Sequence, residues 1–200
     1  MILGIAAHHD DLVIGAGGYL INASKKEQVM IVVLVNNYLV GGTEARLGAL
    51  KKCAQHYQWE LSILDFRDCE ITVSAGAALR IGKLVETLNP DRLIVPAPGR
   101  HMDHASTFIL MKQALRLSEQ PRSFFACDAY KGLLPSTEFL YYYDTTDITD
   151  EKLKMISTLA DGQHAQETVE YVRALSIVRG LEANTTCAEA FLLISPGGNF

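Results

Sequence analysis

Ile2-Leu3-Gly4-Ile5-Ala6-Ala7-His8-His9-Asp10-Asp11 is the stretch on which the fold turns. Six residues without a polar side chain run straight into two imidazoles and two carboxylates. A run this short and this apolar fits a strand buried on both faces of a sheet. The arrangement occurs a second time. Leu93-Ile94-Val95-Pro96 is followed, after a short gap, by His101-Met102-Asp103-His104. Four of the six histidines stand in these two windows. Two strand-like runs that each lead into His and Asp read as two halves of one metal site. Imidazole nitrogen and carboxylate oxygen are the ligands a catalytic zinc uses, so hydrolytic metal chemistry is the leading expectation.

Working outward, strand and helix patterns alternate. Val29–Val35 is β-branched and continuously apolar, a second buried strand. Leu61–Phe66, Arg92–Pro96, Ser123–Ala129, Phe139–Tyr143 and Ala188–Ile194 read as further strands. Helices are expected over Gly15–Lys26, Thr43–Tyr57, Ala77–Leu88, Ala105–Leu117, Thr149–Leu159 and Gln166–Arg179. In Thr43–Tyr57 the residues Leu47, Leu50, Cys53, Ala54 and Tyr57 recur at helical spacing. Asn89-Pro90 ends the third helix, because proline disfavours helical geometry in the residue before it. Gly41-Gly42 and Gly132–Ser136 read as loops. The alternation implies an α/β fold, a three-layer α/β/α sandwich around a Rossmann-like, mostly parallel sheet. In such sheets ligands bind beyond the carboxyl ends of the strands, where both His/Asp windows stand.

Composition bounds the rest. The 200 residues fit a single domain over 1–200, with 48% hydrophobic and 20% charged residues. Mean hydropathy is +0.11, that of a chain that buries a core. A net charge of −5 disfavours an electrostatic grip on nucleic acid or an anionic membrane. The four cysteines, Cys53, Cys69, Cys127 and Cys187, are scattered without a CxxC pair. That fits a reducing, cytoplasmic setting and neither a zinc knuckle nor a disulfide scaffold. No basic leader and no long apolar segment is evident, so neither a signal peptide nor a membrane span is expected.

Roles follow from the chemistry. A catalytic zinc takes three protein ligands and keeps one position open. His8, Asp11 and His104 supply two imidazoles and a carboxylate. Asp10 is then a carboxylate beside the ion, placed to act as general base. His101 is left as a donor to a developing oxyanion and to the leaving group, with Asp103 to orient it. Two histidines and a carboxylate also suit Fe2+, so iron stays open. The Gly15-Ala16-Gly17-Gly18 turn lacks the GxGxxG register of a dinucleotide loop. Asp10 and Asp11 could instead cap the next helix. His56 is expected at the surface, and Tyr141-Tyr142-Tyr143 in strand packing.

Ala7-His8-His9-Asp10-Asp11-Leu12-Val13-Ile14-Gly15-Ala16-Gly17-Gly18 resembles the AHPDD(x)E-x-G-x-GG signature of the PIG-L/LmbE-like de-N-acetylases. Arg100-His101-Met102-Asp103-His104 resembles their (R)HPDH signature. Gly42-Thr43-Glu44-Ala45-Arg46, Phe66-Arg67-Asp68, Asp147-Ile148-Thr149 with Lys152, and Ala188-Glu189-Ala190-Phe191 resemble further segments, so the likeness spans nearly the whole chain. Length and C-terminal pattern are most similar to the branch that deacetylates N-acetylglucosaminyl-malate in bacillithiol synthesis. The resemblance implies the same assignments: His8, Asp11 and His104 as zinc ligands, Asp10 as base, and His101 with its partner Asp103. It adds Arg46 as the substrate-contacting arginine. It further implies a Rossmann-like sandwich, an N-acetylated amino sugar or N-acetylglucosamine conjugate as substrate, and a homo-oligomer, trimer or hexamer.

The departures from the pattern are specific. His9 and Met102 replace the prolines of the two signatures, Leu12 and Val13 stand where a glutamate is usual, and Ala49 replaces another. The Ser-Gln near the C-terminal helix is at best Gly162-Gln163. A changed substrate is the natural inference. The alternative is a metal- or sugar-binding pseudoenzyme, against which the retention of Asp10 argues. His9 is expected to stay off the metal, since a further protein ligand would fill the open position. His9→Pro is expected to leave the metal in place and to stiffen the turn.

Overall fold

The computed structural model describes residues 1–117, 123–130, 134, 140–160 and 162–194. Its elements alternate as the apolar runs imply: β1 (Ile2–Ala6), α1 (Asp11–Ser24), β2 (Val29–Asn37), α2 (Thr43–Tyr57), β3 (Glu60–Arg67), α3 (Ala75–Leu88) and β4 (Arg92–Pro96). There follow α4 (Met102–Arg116), β5 (Ser123–Cys127), β6 (Leu140–Asp144), α5 (Thr149–Leu159), α6 (Gly162–Glu182) and β7 (Ala188–Leu193). Phe139, most of the expected Gly132–Ser136 loop, and the side chains of Gln163 and His164 lie outside the described residues.

One sheet runs in the order β3-β2-β1-β4-β5-β7-β6. The first five strands pair in parallel, and β7 runs antiparallel between β5 and β6. Strand pleating sends alternate side chains to opposite faces. Ile2 and Ala6 of β1, with Val29, Ile31 and Val33 of β2, enter one core layer beside α1, α2 and α5. Leu3 and Ile5, with Val32 and Leu34, enter the other beside α3 and α4. Both faces are covered, which is why these strands read as continuous apolar runs and not as alternation. The result is a three-layer α/β/α sandwich.

Sequence order along the sheet reverses between β1 and β4. From β1 the chain moves outward through β2 and β3, then returns to lay β4 against the other side of β1. The loops after β1 and β4 therefore open side by side. Beside that opening, α1 packs closely against the end of β5. A Cβ on Gly15 would lie 2.0 Å from the carbonyl oxygen of Asp128 and 2.6 Å from Cys127 Sγ, so only glycine admits this approach of helix to sheet.

The two helices that carry the His/Asp windows start earlier than their periodicity suggests, as does α6, which begins at Gly162 and not at Gln166. α1 begins at Asp11 and not at Gly15, and α4 at Met102 and not at Ala105. The first turn of α4 is polar, carrying Asp103 and His104, whereas α1 opens on Asp11 and continues at once with the buried apolar Leu12, Val13 and Ile14. A helix N-terminus presents free N–H groups and a positive dipole end, which suits Asp11 and Asp103. Apolar periodicity is silent about the polar start of α4.

The C-terminal segments lock onto the same helix. Lys152 Nζ on α5 lies 2.7 Å from Glu189 Oε1 on β7, both side chains about 2% exposed. Glu189 also accepts the backbone N–H of Gly18 and of Tyr19, at 2.7 and 2.8 Å. Breaking such a buried pair from one side costs about 3–5 kcal/mol, because the other charge is stranded. Among the described residues no helix is long and apolar enough to cross a membrane.

Candidate metal centre

The loop after β1 carries His8 to Asp11, and the segment after β4 leads to His101, Asp103 and His104. Because β1 and β4 are neighbours, the two windows face each other. His8 N–H donates to Asp11 Oδ2 at 2.8 Å, which turns the chain sharply into α1. His8 Nδ1 lies 3.6 Å from the same oxygen. Across the gap, His104 Nε2 lies 3.0 Å from Asp11 Oδ1. Asp11 thus touches both histidines that were assigned with it. The His8, His101 and His104 rings also cluster, with centroids 4.6 to 5.6 Å apart.

His8 Nε2 faces two more carboxylates, Asp68 Oδ1 at 3.1 Å and Asp103 Oδ2 at 3.2 Å. Burial works against the charged imidazole, but Asp11 and the hydrogen bonds to Asp103 and Asp11 outweigh it and push His8 up to about 11. Burial likewise opposes charge on Asp11, yet His104 and His8 hold its carboxyl well below the usual range. His104 is raised, since Asp11 overcomes its burial. His101 moves the other way. Burial lowers it, and the His8 and His104 charges lower it further.

Asp103 departs from its expected part. Its carboxylate meets His8 Nε2 and accepts the Cys69 N–H at 2.8 Å, instead of holding the His101 ring. Its backbone N–H meets that ring, donating to His101 Nδ1 at 3.3 Å. With Nδ1 accepting, the proton of a neutral His101 sits on Nε2. Asp10 is less enclosed than its neighbours, its side chain 30% exposed with Oδ1 3.5 Å from His9 Nδ1.

His9 is buried and held at both ring nitrogens. Nε2 donates to the Leu159 carbonyl at 3.1 Å, and Nδ1 lies 3.2 Å from the Tyr38 hydroxyl. The His9 backbone N–H donates to that hydroxyl at 3.0 Å. A proline here would delete this donor, so the structure gives no support to a gain in stiffness from His9→Pro. Tyr38 also carries Arg46 on its ring face, the guanidinium carbon 4.9 Å from the centroid. Arg46 therefore reaches the site from the first turn of α2.

Cys69 and Tyr38 carry no motif of their own, and Asp68 stands out in the sequence only as the end of the family-like Phe66-Arg67-Asp68 segment. Asp68 and Cys69 follow β3 directly, and Tyr38 follows β2. The signal available was the one that found the two windows, a polar residue at the carboxyl end of a buried strand.

The donor set fits a divalent cation. Imidazoles, backbone N–H groups and, at Asp68, the Cys69 thiol are what meet Asp11, Asp68 and Asp103. Asp103 Oδ1 and His104 Nδ1 are buried with no hydrogen-bond partner. The triads His8/His101/His104 and His8/Asp68/Asp103 each bring their ligand atoms within 4.8 Å of one another. Oxygen and imidazole donors in this mixture suit zinc and its neighbours in the first transition row.

The family model of PIG-L, GlcNAc-PI de-N-acetylase, matches residues 3–115, more than half of the chain and both His/Asp windows. The chain belongs to the PIG-L family. Membership marks it as an enzyme of the deacetylase type. Its fold is shared with N,N'-diacetylchitobiose deacetylase from Pyrococcus horikoshii, at 19% identity and a TM-score of 0.84, over 98% of this chain and 84% of that one. It is shared with the zinc-inhibited form of the teicoplanin deacetylase Orf2, at 12% identity and a TM-score of 0.73, over 99% of both chains. The 4-carboxy-2-hydroxymuconate hydratase GalB from Pseudomonas putida has it too, at 18% identity and a TM-score of 0.73, over 100% of this chain and 97% of that one. No curated protein matches this PIG-L member in sequence.

Proposed function

We propose that this enzyme is a metal-dependent de-N-acetylase that removes the acetyl group from an N-acetylglucosamine conjugate, with water as the acceptor. One observation carries the reading. The loops after β1 and β4 meet at the reversal of strand order, joined through Asp11, with Asp10 beside them and the His101 Nε2 proton available.

His8, Asp11 and His104 would hold the ion. A bound divalent cation supplies Lewis acidity, polarising the amide carbonyl and acidifying water. Asp10, the more open carboxylate, takes a proton from the attacking water. His101 gives a hydrogen bond through Nε2–H to the carbonyl oxygen as negative charge builds there. Asp10 then hands the proton it took from the water to the departing amine, while His101 keeps its Nε2 proton throughout. Acetate and a free amino sugar are the products. Asp103 and Asp68 brace His8 from its Nε2 side. Arg46, steadied on the Tyr38 ring, offers a planar guanidinium to a substrate carboxylate. That choice favours a conjugate with an acidic aglycone, such as N-acetylglucosaminyl-malate. Two relatives of the same fold are named as deacetylases, and one is named in a zinc-inhibited form, which supports both the reaction class and a divalent ion.

Acetate release from a panel of neutral and acidic N-acetylglucosamine conjugates, run on metal-stripped and zinc-reconstituted protein, tests the proposal. Expected is zinc-dependent release, fastest on the acidic conjugates. No release from any of them with the ion bound would favour a binding protein without turnover.

A further inference from the structure

Beside the groups assigned to the first ion, another trio of donors converges. Cys69 Sγ lies 3.7 Å from Asp68 Oδ1 and 4.0 Å from His101 Nε2. The three ligand atoms fall within 4.8 Å of one another. Zinc bonds of about 2.0–2.3 Å in a tetrahedron set neighbouring ligand atoms roughly 3.4–3.6 Å apart. The two sulfur distances are within about half an ångström of that spacing, so small side-chain rotations close it. The trio joins two distant segments, Asp68-Cys69 after β3 and His101 ahead of α4. The Cys69 N–H to Asp103 Oδ2 bond pins one segment to the other.

We propose that Asp68, Cys69 and His101 form a second cation site that selects thiophilic divalent ions, and that filling it silences hydrolysis. The site stands on geometry alone; the silencing rests on the function proposed above. The Cys69 thiol gives its proton to solvent as sulfur donates to the metal, and no oxidant or reductant is involved. A thiolate favours zinc and cadmium over magnesium and calcium. Binding through His101 Nε2 moves the ring proton to Nδ1, where Asp103 N–H now donates. That lost hydrogen bond places the second site behind the first in affinity. With Nε2 bound to metal, His101 has no proton there to offer the substrate, so excess ion stops turnover.

The test is a titration of zinc-loaded protein with Cd2+, following the ultraviolet absorption of cadmium bound to thiolate. A band that saturates at one equivalent beyond the resident ion is expected. Cys69→Ser should lose both the band and the extra equivalent while keeping the resident ion by elemental analysis. Asp68→Asn should keep the band but need roughly tenfold more Cd2+ or above, which covers the case in which Cys69→Ser does not fold. Acetate release from wild type should fall in step with the band. No band, an unchanged band in Cys69→Ser, or a band completed by the first ion added to stripped protein would overturn the site. A band without inhibition would overturn the silencing. Absence of turnover before Cd2+ is added would instead count against the hydrolase reading, while the band still decides the site.

Discussion

His104 Nε2 stands 3.0 Å from Asp11 Oδ1, joining the first turn of α4 to the first turn of α1. Both residues are buried, and His104 Nδ1 has no hydrogen-bond partner. A pair placed this way has little to do in a fold already held by its sheet, and much to do around a cation. His104→Ala is therefore expected to abolish stoichiometric metal by elemental analysis. Full metal content in that variant would falsify the assignment of His104 as a ligand.

Asp10 separates chemistry from binding. Its carboxylate is the more open one in the window, and in the proposed site it does not hold the ion. Asp10→Asn should keep the metal and lose about 10²–10⁴ in kcat, the usual contribution of a positioned base. Unchanged turnover would place the proton acceptor elsewhere.

His9 tests the bracing of the loop. Its two ring nitrogens and its N–H tie the turn to Tyr38 and to the end of α5. His9→Pro removes all three bonds and leaves the Tyr38 hydroxyl and the Leu159 carbonyl short of partners. A loss of about 1–3 kcal/mol in urea unfolding is expected, with metal stoichiometry unchanged. A variant as stable as wild type would show that these buried bonds contribute nothing net.

The pH dependence follows from His8. Its folded value is raised from 6.5 to about 11. A raised histidine contributes stability that is fully present below its unfolded value and is lost as pH rises through its folded one. Metal-stripped protein should therefore lose stability steadily from about pH 7 toward pH 11. In the proposed site zinc displaces the same proton, so loading near neutral pH should release acid to the medium. Melting temperature against pH with a chelator present, and proton release on zinc addition in weak buffer, check both halves. A flat profile with no proton release would show that His8 is neutral before the ion arrives.

Much of the fold was legible along the chain. Strands buried on both faces leave continuous apolar runs, and β1, β2 and β4 were each recognisable for that reason. The two His/Asp windows were legible because each follows such a run, and the ends of parallel strands are where ligands gather. Legibility failed where an element begins with polar residues. Periodicity reports burial against a core, and the first turn of α4 instead buries Asp103 and His104 around the site, while α1 starts on Asp11 straight out of the His/Asp window.

By itself, then, the sequence determined the layer architecture, the family likeness, and which end of the sheet carries His8, Asp10, Asp11, His101, Asp103 and His104. Only the tertiary structure decided who meets whom there. It brought Asp68 and Cys69 from the end of β3, two strands away from β1, up to His8 and His101. It turned the Asp103 carboxylate to His8, set Tyr38 between His9 and Arg46, and inserted β7 between β5 and β6. The physical reason is that hydrophobic patterning is a property of one element at a time. Strand order, and the side-chain pairs that form across strand ends, come from long-range hydrogen bonding and packing that no local stretch of residues encodes.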